Sequence, residues 1–244
     1  MNPYKVCILA AGRGERMGEY TSLTHKALLP LGKKAILSKI IELLPQASEY
    51  VIAVGKNSDL IENYVELAHK QQNVKVVKVQ KHQGKGSGPG RSLWECRNHL
   101  FDQGFVCVCA DTLWSPEESL FFTKDWIGVQ PVPATSASRF CVVRGHDYVT
   151  NFIDKTPQPE TETVDAFVGA FFISDPARFF VKEPLVEVKG EVQLSALLEP
   201  YNQQTPLVKK TIPSWFDVGT KENYEIAKNA INQNEKVEFS KRDE

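Results

Sequence analysis

Residues Lys5 to Lys33 read KVCILAAGRGERMGEYTSLTHKALLPLGK, and the interpretation of the chain starts there. Val6-Cys7-Ile8-Leu9 is a short apolar run, long enough for one buried strand. It ends on Ala10-Ala11-Gly12-Arg13-Gly14-Glu15-Arg16-Met17-Gly18, where small residues let the backbone pass close to a ligand and two arginines sit among them. Lys26 follows, ahead of Leu28-Leu29-Pro30-Leu31-Gly32. In open α/β sheets a Gly-rich turn leaving the carboxyl end of the first strand binds phosphate, because its peptide N–H groups are unpaired and point one way. The added cations suit a triphosphate, so the segment reads as a nucleotide-binding loop.

The loop differs from two common phosphate-binding motifs. No Lys-Ser or Lys-Thr closes the glycine run, and glycines 12, 14 and 18 miss the G-x-G-x-x-G spacing, with no helical pattern starting directly after them. A lone Gly-rich turn also reads as a flexible surface turn. The combination of strand, A-A-G-x-G-x-R-M-G and a lysine followed by A-L-L-P-L-G is more specific. In it the chain resembles the sugar-phosphate nucleotidyltransferase (nucleotidyl pyrophosphorylase) family, whose signature runs L-A-A/G-G-x-G-x-R, then P-K, then P-[LIV]-x-[GN]-[KR]-P-[LIV]. Gly12, Gly14, Arg16 and Lys26 match; His25 stands where the family has proline, and Ala35 replaces the later proline.

At 244 residues the chain can bury a full core as one domain. A net charge of −1 argues against a general nucleic-acid or membrane-surface binder. No run approaches the roughly 18 apolar residues that span a bilayer, and the N-terminal residues lack a signal-peptide pattern. The five cysteines, at 7, 96, 107, 109 and 141, show no metal-ligand spacing and read as small hydrophobes in strand-like runs. These features predict a reduced, cytoplasmic location.

Helical spacing runs from Ala35 to Leu44, ended by Pro45, and from Asn57 or Ser58 to about Lys70. Buried strands are expected at 50–54, 74–79 and 105–110. Strands alternating with helices predict a doubly wound, mainly parallel α/β sheet of Rossmann-like type. Beyond Trp114 the pattern becomes β-rich: 126–130, 139–143, 148–153 with a hairpin turn at 145–147, 164–173 and 207–212. Helices are expected at 176–181, 191–201 and from Thr220 to about Ile231, with a polar mobile loop at 158–162 and a frayed tail from Glu235. The expected organisation is a single domain, with residues 1–112 as a nucleotide-binding half, 113–220 as a small β-rich acceptor-binding lobe and 221–244 as a terminal helix and tail.

The resemblance continues through these segments and implies roles for them. Leu9, Ala10, Ala11, Gly12 and Gly14 would line the nucleotide phosphates. Gln80, Gly86 and Ser87, in a stretch with four glycines within 84–90, would meet the base, though Pro89-Gly90-Arg91 departs from the family's G-T-A-x-A; Arg91 also reads as a solvated helix charge. Asp111 ends the fourth strand where the family has G-D, and Asp217 lies in Trp215-Phe216-Asp217-Val218-Gly219-Thr220, close to the family's W-x-D-[IV]-G-T. The resemblance makes these two the Mg²⁺ ligands, while on residue pattern alone Asp111 is an N-cap candidate and Asp217 a turn residue. Lys155 and Gly169 match acceptor-binding positions, and Phe167 replaces an asparagine there. Glu191-Val-Gln193-Leu-Ser195 resembles E-x-Q-[LI]-[TS]-D, with Ala196 in place of the aspartate. His82 and His146 read as solvated loop histidines.

The implied enzyme, with Arg16 and Lys26 as catalytic cations, transfers a nucleotidyl group from an NTP, a pyrimidine one being favoured, to a phosphorylated small-molecule acceptor, foremost a sugar 1-phosphate, and releases pyrophosphate. A cytidylyltransferase acting on a phosphorylated non-sugar is the alternative, favoured by Ser92-Leu93-Trp94 and Phe167; a nucleotide-binding regulator without catalysis is the second. The chain is compatible with a monomer or a homo-oligomer.

Overall fold

The computed structural model describes residues 4–44, 47–114, 124–157, 162–185 and 187–240, with side chains described as far as 232. Strand β1 (Tyr4–Ala10) is followed by 3-10 turns at Glu15–Thr21 and Lys26–Leu28, a small hairpin of β2 (Pro30–Leu31) and β3 (Lys34–Ala35), and helix α1 (Ile36–Leu43). Then come β4 (Ala47–Val54), α2 (Ser58–Ala68), β5 (Val74–Lys78), α3 (Pro89–Cys96) and β6 (Phe105–Cys109). Strands β4, β5 and β6 all run parallel to β1 or to its neighbour, in spatial order β5-β4-β1-β6. The order therefore reverses between β1 and β6, and in an open α/β sheet ligands bind at the carboxyl ends of the strands flanking that switch point.

Strand β1 is buried on both faces, which explains its unbroken apolar run. Val6, Ile8 and Ala10 point to one face, against Ile36 and Ile40 of α1 and Ile61 of α2. Cys7, Leu9 and Ala11 point to the other, against Leu93 of α3. Fully burying a side chain the size of Ile8 contributes roughly 2 kcal/mol, so this strand is both a core element and the fixed base of the loop that follows. Cys7, Cys96 and Cys107 are buried and unpaired, and burial pushes the Cys7 and Cys107 thiols up. They fill space as hydrophobes.

The second half adds β7 (Thr112–Trp114), β8 (Trp126–Pro133), β9 (Cys141–Arg144), β10 (Asn151–Asp154), β11 (Thr163–Ile173), α4 (Pro176–Phe179), α5 (Ser195–Asn202), β12 (Val208–Thr211), β13 (Trp215–Asp217) and α6 (Lys221–Ser240). Long β11 joins the halves. Its residues Ala170–Ile173 lie antiparallel to β6, while Ala166 pairs with Val142 of β9, and β8 runs along the opposite edge. Between the two segments the register slips and Gly169 takes φ +79°, a bulge that only a residue without Cβ enters without strain. The gap this opens at the carboxyl end of β6 is the mouth of a cleft.

Several local expectations are corrected. Arg139 ends a 3-10 turn (Ala134–Arg139) rather than opening a strand, and β10 starts at Asn151, since Gly145, His146 and Asp147 belong to a six-residue connection instead of a tight hairpin. The residues after the glycine-rich stretch read as a helix through about Leu100, but α3 stops at Cys96 and gives way to a 3-10 turn at Arg97–His99; α4 stops at Phe179, and α5 begins only at Ser195, because the backbone of Glu191 and Val192 is occupied by pairing with Ser87. Arg91 is not a solvated helix charge: its guanidinium pairs with Glu183 at 14% side-chain exposure. Helix α6 continues through Glu235 to Ser240. Pro45, the loop residues 158–161 and the tail residues 241–244 lie outside the described residues. No helix among the described residues is long and apolar enough to cross a membrane.

Candidate functional site

A cleft of about 930 Å³ opens over the carboxyl ends of β1 and β6. After β1 the chain turns at Gly14 (φ +69°) into the 3-10 turn, whose fully buried Met17 anchors the loop in the core. Thr21 Oγ1 donates to the Gly14 carbonyl at 3.1 Å and so ties the turn to its own start. At Gly12 a Cβ would stand in ordinary contact with the Lys26 ammonium, 3.7 Å away. The lysine therefore lies directly over the glycine loop.

Lys26 Nζ is 2.6 Å from Asp111 Oδ2, with side chains 13% and 20% exposed. Burial pushes the Asp111 carboxyl up, but the Lys26 and Arg16 charges outweigh it and hold the group below the usual carboxylate range. Asp217 reaches the same place from the far end of the chain. The antiparallel pairing of β13 with β7 sets Asp217 opposite Thr112, and the Val218 amide donates to the Asp111 carbonyl at 2.8 Å. Gly219 measures the convergence: a Cβ placed on it would lie 2.9 Å from Asp217 Oδ1, 3.2 Å from Asp111 Oδ2 and 3.3 Å from Arg16 Nη2. Asp217 accepts from the Gly219 amide at 2.9 Å and from Asn223 Nδ2 at 3.3 Å. Burial and the Asp111 charge raise its carboxyl above the usual range, the signature of two like charges held together with too little positive charge between them.

No cluster of three or more acidic, histidine or cysteine ligands occurs among the described residues. A pair of carboxylates is nevertheless the donor set that Mg²⁺ takes when water and substrate phosphates complete its shell. Both oxygens are hard, both face one point, and the raised Asp217 carboxyl signals unneutralised charge. The residues fit the ion.

Across the cleft lie Asp154, Lys155, Phe167, Gly169, Glu191 and Gln193. Lys155, at φ +48°, donates its amide to the Phe140 carbonyl at 2.9 Å and its ammonium reaches Glu191 Oε2 at 3.3 Å. Glu191 also accepts from Gln193 Nε2 at 3.1 Å, and Asp154 accepts from the Ser195 hydroxyl. Gly88 and Gly90 are required for packing rather than for ligand approach. A Cβ on Gly90 would lie 2.3 Å from the Gln193 carbonyl, and one on Gly88 2.6 Å from that of Val192.

The cleft thus gathers Leu9, Ala11, Gly12, Gly14, Arg16, Lys26, Ser87, Asp111, Lys155, Gly169 and Asp217. Ala10 sits beneath it, in the core on the other face of β1. Gln80 and Gly86 are not among the residues lining it. The Gln80 side-chain amide donates to the Lys78 carbonyl at 3.4 Å while its backbone amide binds Glu95, and Gly86 is buried against Gly190. Gln83 and half-buried His82 line the cleft instead, three and two residues further on, because the turn after β5 carries the chain outward before it returns. Arg139 and Cys141 also line it. Both fall in the stretch read from the sequence as a strand at 139–143; Arg139 instead ends a 3-10 turn and Cys141 opens β9, and no sequence signal marked either as a site residue.

Residues 6–121 match the MobA-like NTP transferase domain family. The chain is 26% identical over 234 residues to the UTP–glucose-1-phosphate uridylyltransferase of Bacillus subtilis (strain 168), covering 82% of this chain and 80% of that protein. In sequence the chain is thus similar to sugar-phosphate nucleotidyltransferases. Its fold agrees with that of solved nucleotidyltransferases: a UDP-glucose pyrophosphorylase solved with UDP-glucose superposes with a TM-score of 0.83 at 19% identity, over 95% of this chain and 99% of that one. The inositol-1-phosphate CTP transferase from T. maritima superposes with a TM-score of 0.70 at 16% identity, over 94% and 96%.

One residue of this site gives a pH prediction. His25 is 5% exposed and its Nδ1 accepts from the Ala27 amide at 3.1 Å, so it caps the turn that carries Lys26. Burial, then the Lys26 charge, lowers the imidazole from 6.5 to about 4, and the carbonyls of Ala10 and Gly12 offset only part of this. The unfolded chain therefore binds the proton first as pH falls. Neutral His25 stabilises the fold above pH 6.5, and that contribution, about 3 kcal/mol, is lost between pH 6.5 and 4. Urea unfolding of His25→Asn, which keeps an acceptor for Ala27, is expected to lose this part of the acid slope while carboxylate contributions remain in both proteins. An unchanged slope would show the imidazole titrating normally.

Proposed function

We propose that the chain transfers a nucleoside monophosphate from an NTP to a sugar 1-phosphate, giving an NDP-sugar and pyrophosphate. The observation that carries this reading is the convergence of Asp111, Asp217 and Arg16 around Gly219, with the Lys26 ammonium 2.6 Å from Asp111, over the switch point of the sheet. An acceptor phosphate oxygen attacks the α-phosphorus in line; the acceptor oxygen–phosphorus bond forms as the bond to the β-phosphate oxygen breaks. The acceptor is already anionic, so no general base is needed, and catalysis is positioning and neutralisation. Peptide groups around Gly12 and Gly14, with Arg16, hold the leaving β- and γ-phosphates. Lys26 neutralises charge on the α-phosphoryl oxygens, and Lys155 binds the acceptor phosphate beside the bare backbone of Gly169. Asp111 and Asp217 would hold Mg²⁺, which would supply Lewis-acid neutralisation of phosphate charge. Ser87, at the edge of the cleft, is assigned to the base.

A second reading, a cytidylyltransferase acting on a phosphorylated non-sugar, is favoured by Phe167, an apolar residue lining the cleft near Lys155 and Gly169 where an asparagine would offer a sugar-hydroxyl contact. Pyrophosphate release measured over four NTPs crossed with hexose 1-phosphates, phosphocholine and inositol 1-phosphate separates the two. The expected result is fastest turnover with a pyrimidine NTP and a hexose 1-phosphate. Turnover confined to the non-sugar acceptors establishes the second reading, and no pyrophosphate from any pair overturns both.

A further inference from the structure

The roles proposed above use Arg16, Lys26 and Lys155, and leave Arg139 without one. Its guanidinium lines the cleft with 48% of the side chain exposed, and its Nη2 stands 3.8 Å from Asp217 Oδ2. That is about 1 Å longer than a charge-assisted hydrogen bond, so the contact is Coulombic and leaves the five N–H donors of the fork free to take another anion. Asp217 does not depend on it, having the Gly219 amide and Asn223 as partners. The side chain is nonetheless fixed in place. It lies over the Phe140 ring at 5.4 Å, and that ring meets Trp215 edge-on at 5.6 Å. The Phe140 carbonyl accepts the Lys155 amide at 2.9 Å, so the residue after Arg139 is tied to the backbone of the acceptor lysine, and both side chains line the one cleft.

A phosphate monoester bound as a dianion is poorly matched by Lys155 alone, because that ammonium is drawn toward Glu191. A planar fork is the side chain best suited to two oxygens of one phosphate. We propose that Arg139 is a second acceptor-phosphate cation, parked against Asp217 and released when a divalent cation takes that carboxylate. The proposal rests on the function argued above, and two measurements without turnover keep the two separable.

Mn²⁺ binding followed by electron paramagnetic resonance, with no substrate present, reports the parking. Arg139→Gln is expected to bind Mn²⁺ at least about threefold more tightly than wild type, since a competing positive charge is gone. Calorimetric binding of glucose 1-phosphate and, separately, of phosphocholine, each in the presence of Mg²⁺, reports the phosphate contact. Arg139→Gln is expected to weaken both roughly tenfold or more, and Arg139→Lys to recover part of the loss, the charge without the fork. NTP affinity stays within twofold, and the exposed position keeps the thermal midpoint unchanged. Equal Mn²⁺ affinity, no Mn²⁺ binding by either protein, or unchanged affinity for a phosphorylated acceptor that wild type binds overturns the proposal. A wild type that binds neither acceptor defeats the functional reading and the phosphate role together; a pyrophosphate-releasing wild type with an unmoved Arg139→Gln defeats the inference alone.

Discussion

Asp111→Asn is expected to lower kcat by about a thousandfold, with the protein still folded. The substitution keeps the shape of the side chain and removes its charge, and two functions go with that charge. The first is the cation site. Asp111 and Asp217 are the two hard oxygens facing one point beside Gly219, and an amide is a poor ligand for Mg²⁺ in a shell that has only two protein carboxylates. The second is the position of Lys26, whose ammonium loses the partner that holds it at 2.6 Å. A further sign checks the geometry. Since the Asp111 charge ranks just behind burial in raising the Asp217 carboxyl, that carboxyl should fall toward its ordinary value in Asp111→Asn. The pair lies in an open cleft, so the stability loss should be about 1–2 kcal/mol, below the 3–5 kcal/mol of a fully buried pair. Steady-state pyrophosphate release, Mn²⁺ binding and a thermal melt together make the test. Turnover within tenfold of wild type would falsify the assignment of Asp111 to the cation.

The parallel half of the sheet is legible in the sequence because β1, β4 and β6 are buried on both faces over most of their length and read as apolar runs between helical patterns, while edge strand β5 shows as a shorter Val-rich stretch. The carboxyl tips of β1 and β6 follow from that order, which is why the succession of strands and helices is enough to place Gly12, Gly14 and Asp111 together. Asp217 is legible by resemblance to W-x-D-[IV]-G-T. The three-residue ladder that carries it to Asp111 leaves no pattern, since β7 and β13 are too short for periodicity to register. The β-rich half is less legible for a related reason. Its strands are set by long-range pairing: β11 changes partners at the Gly169 bulge, and segment 191–193 pairs with Ser87 instead of starting a helix. The four glycines between 84 and 90 look alike in the sequence. In the fold Gly88 and Gly90 serve backbone packing against 192 and 193, and the neighbouring Gln80 points away from the cleft that Gln83 enters.

Lys26→Met is the second substitution with a large expected effect, a fall in kcat of about a hundredfold to a thousandfold. Methionine has nearly the length and flexibility of lysine, so the packing of the stem against Gly14, whose Cβ position lies 3.6 Å from Lys26 Cβ, is retained while the ammonium is lost. Lys26→Arg is not expected to rescue the activity. The ammonium is held 2.6 Å from Asp111 with only 13% of the lysine side chain exposed, and a planar fork needs more room than a point charge does. A reading that a general loss of activity could not mimic comes from Asp111. Burial pushes that carboxyl up, and the Lys26 charge is the largest effect pulling it back down; without the lysine the balance moves upward. Proton and divalent cation compete for the same oxygens, so Mn²⁺ affinity followed from pH 8 downward should be lost at a higher pH in Lys26→Met than in wild type. If the midpoint does not move, Lys26 is not coupled to Asp111 in solution, and the short contact between them cannot be what orders the site.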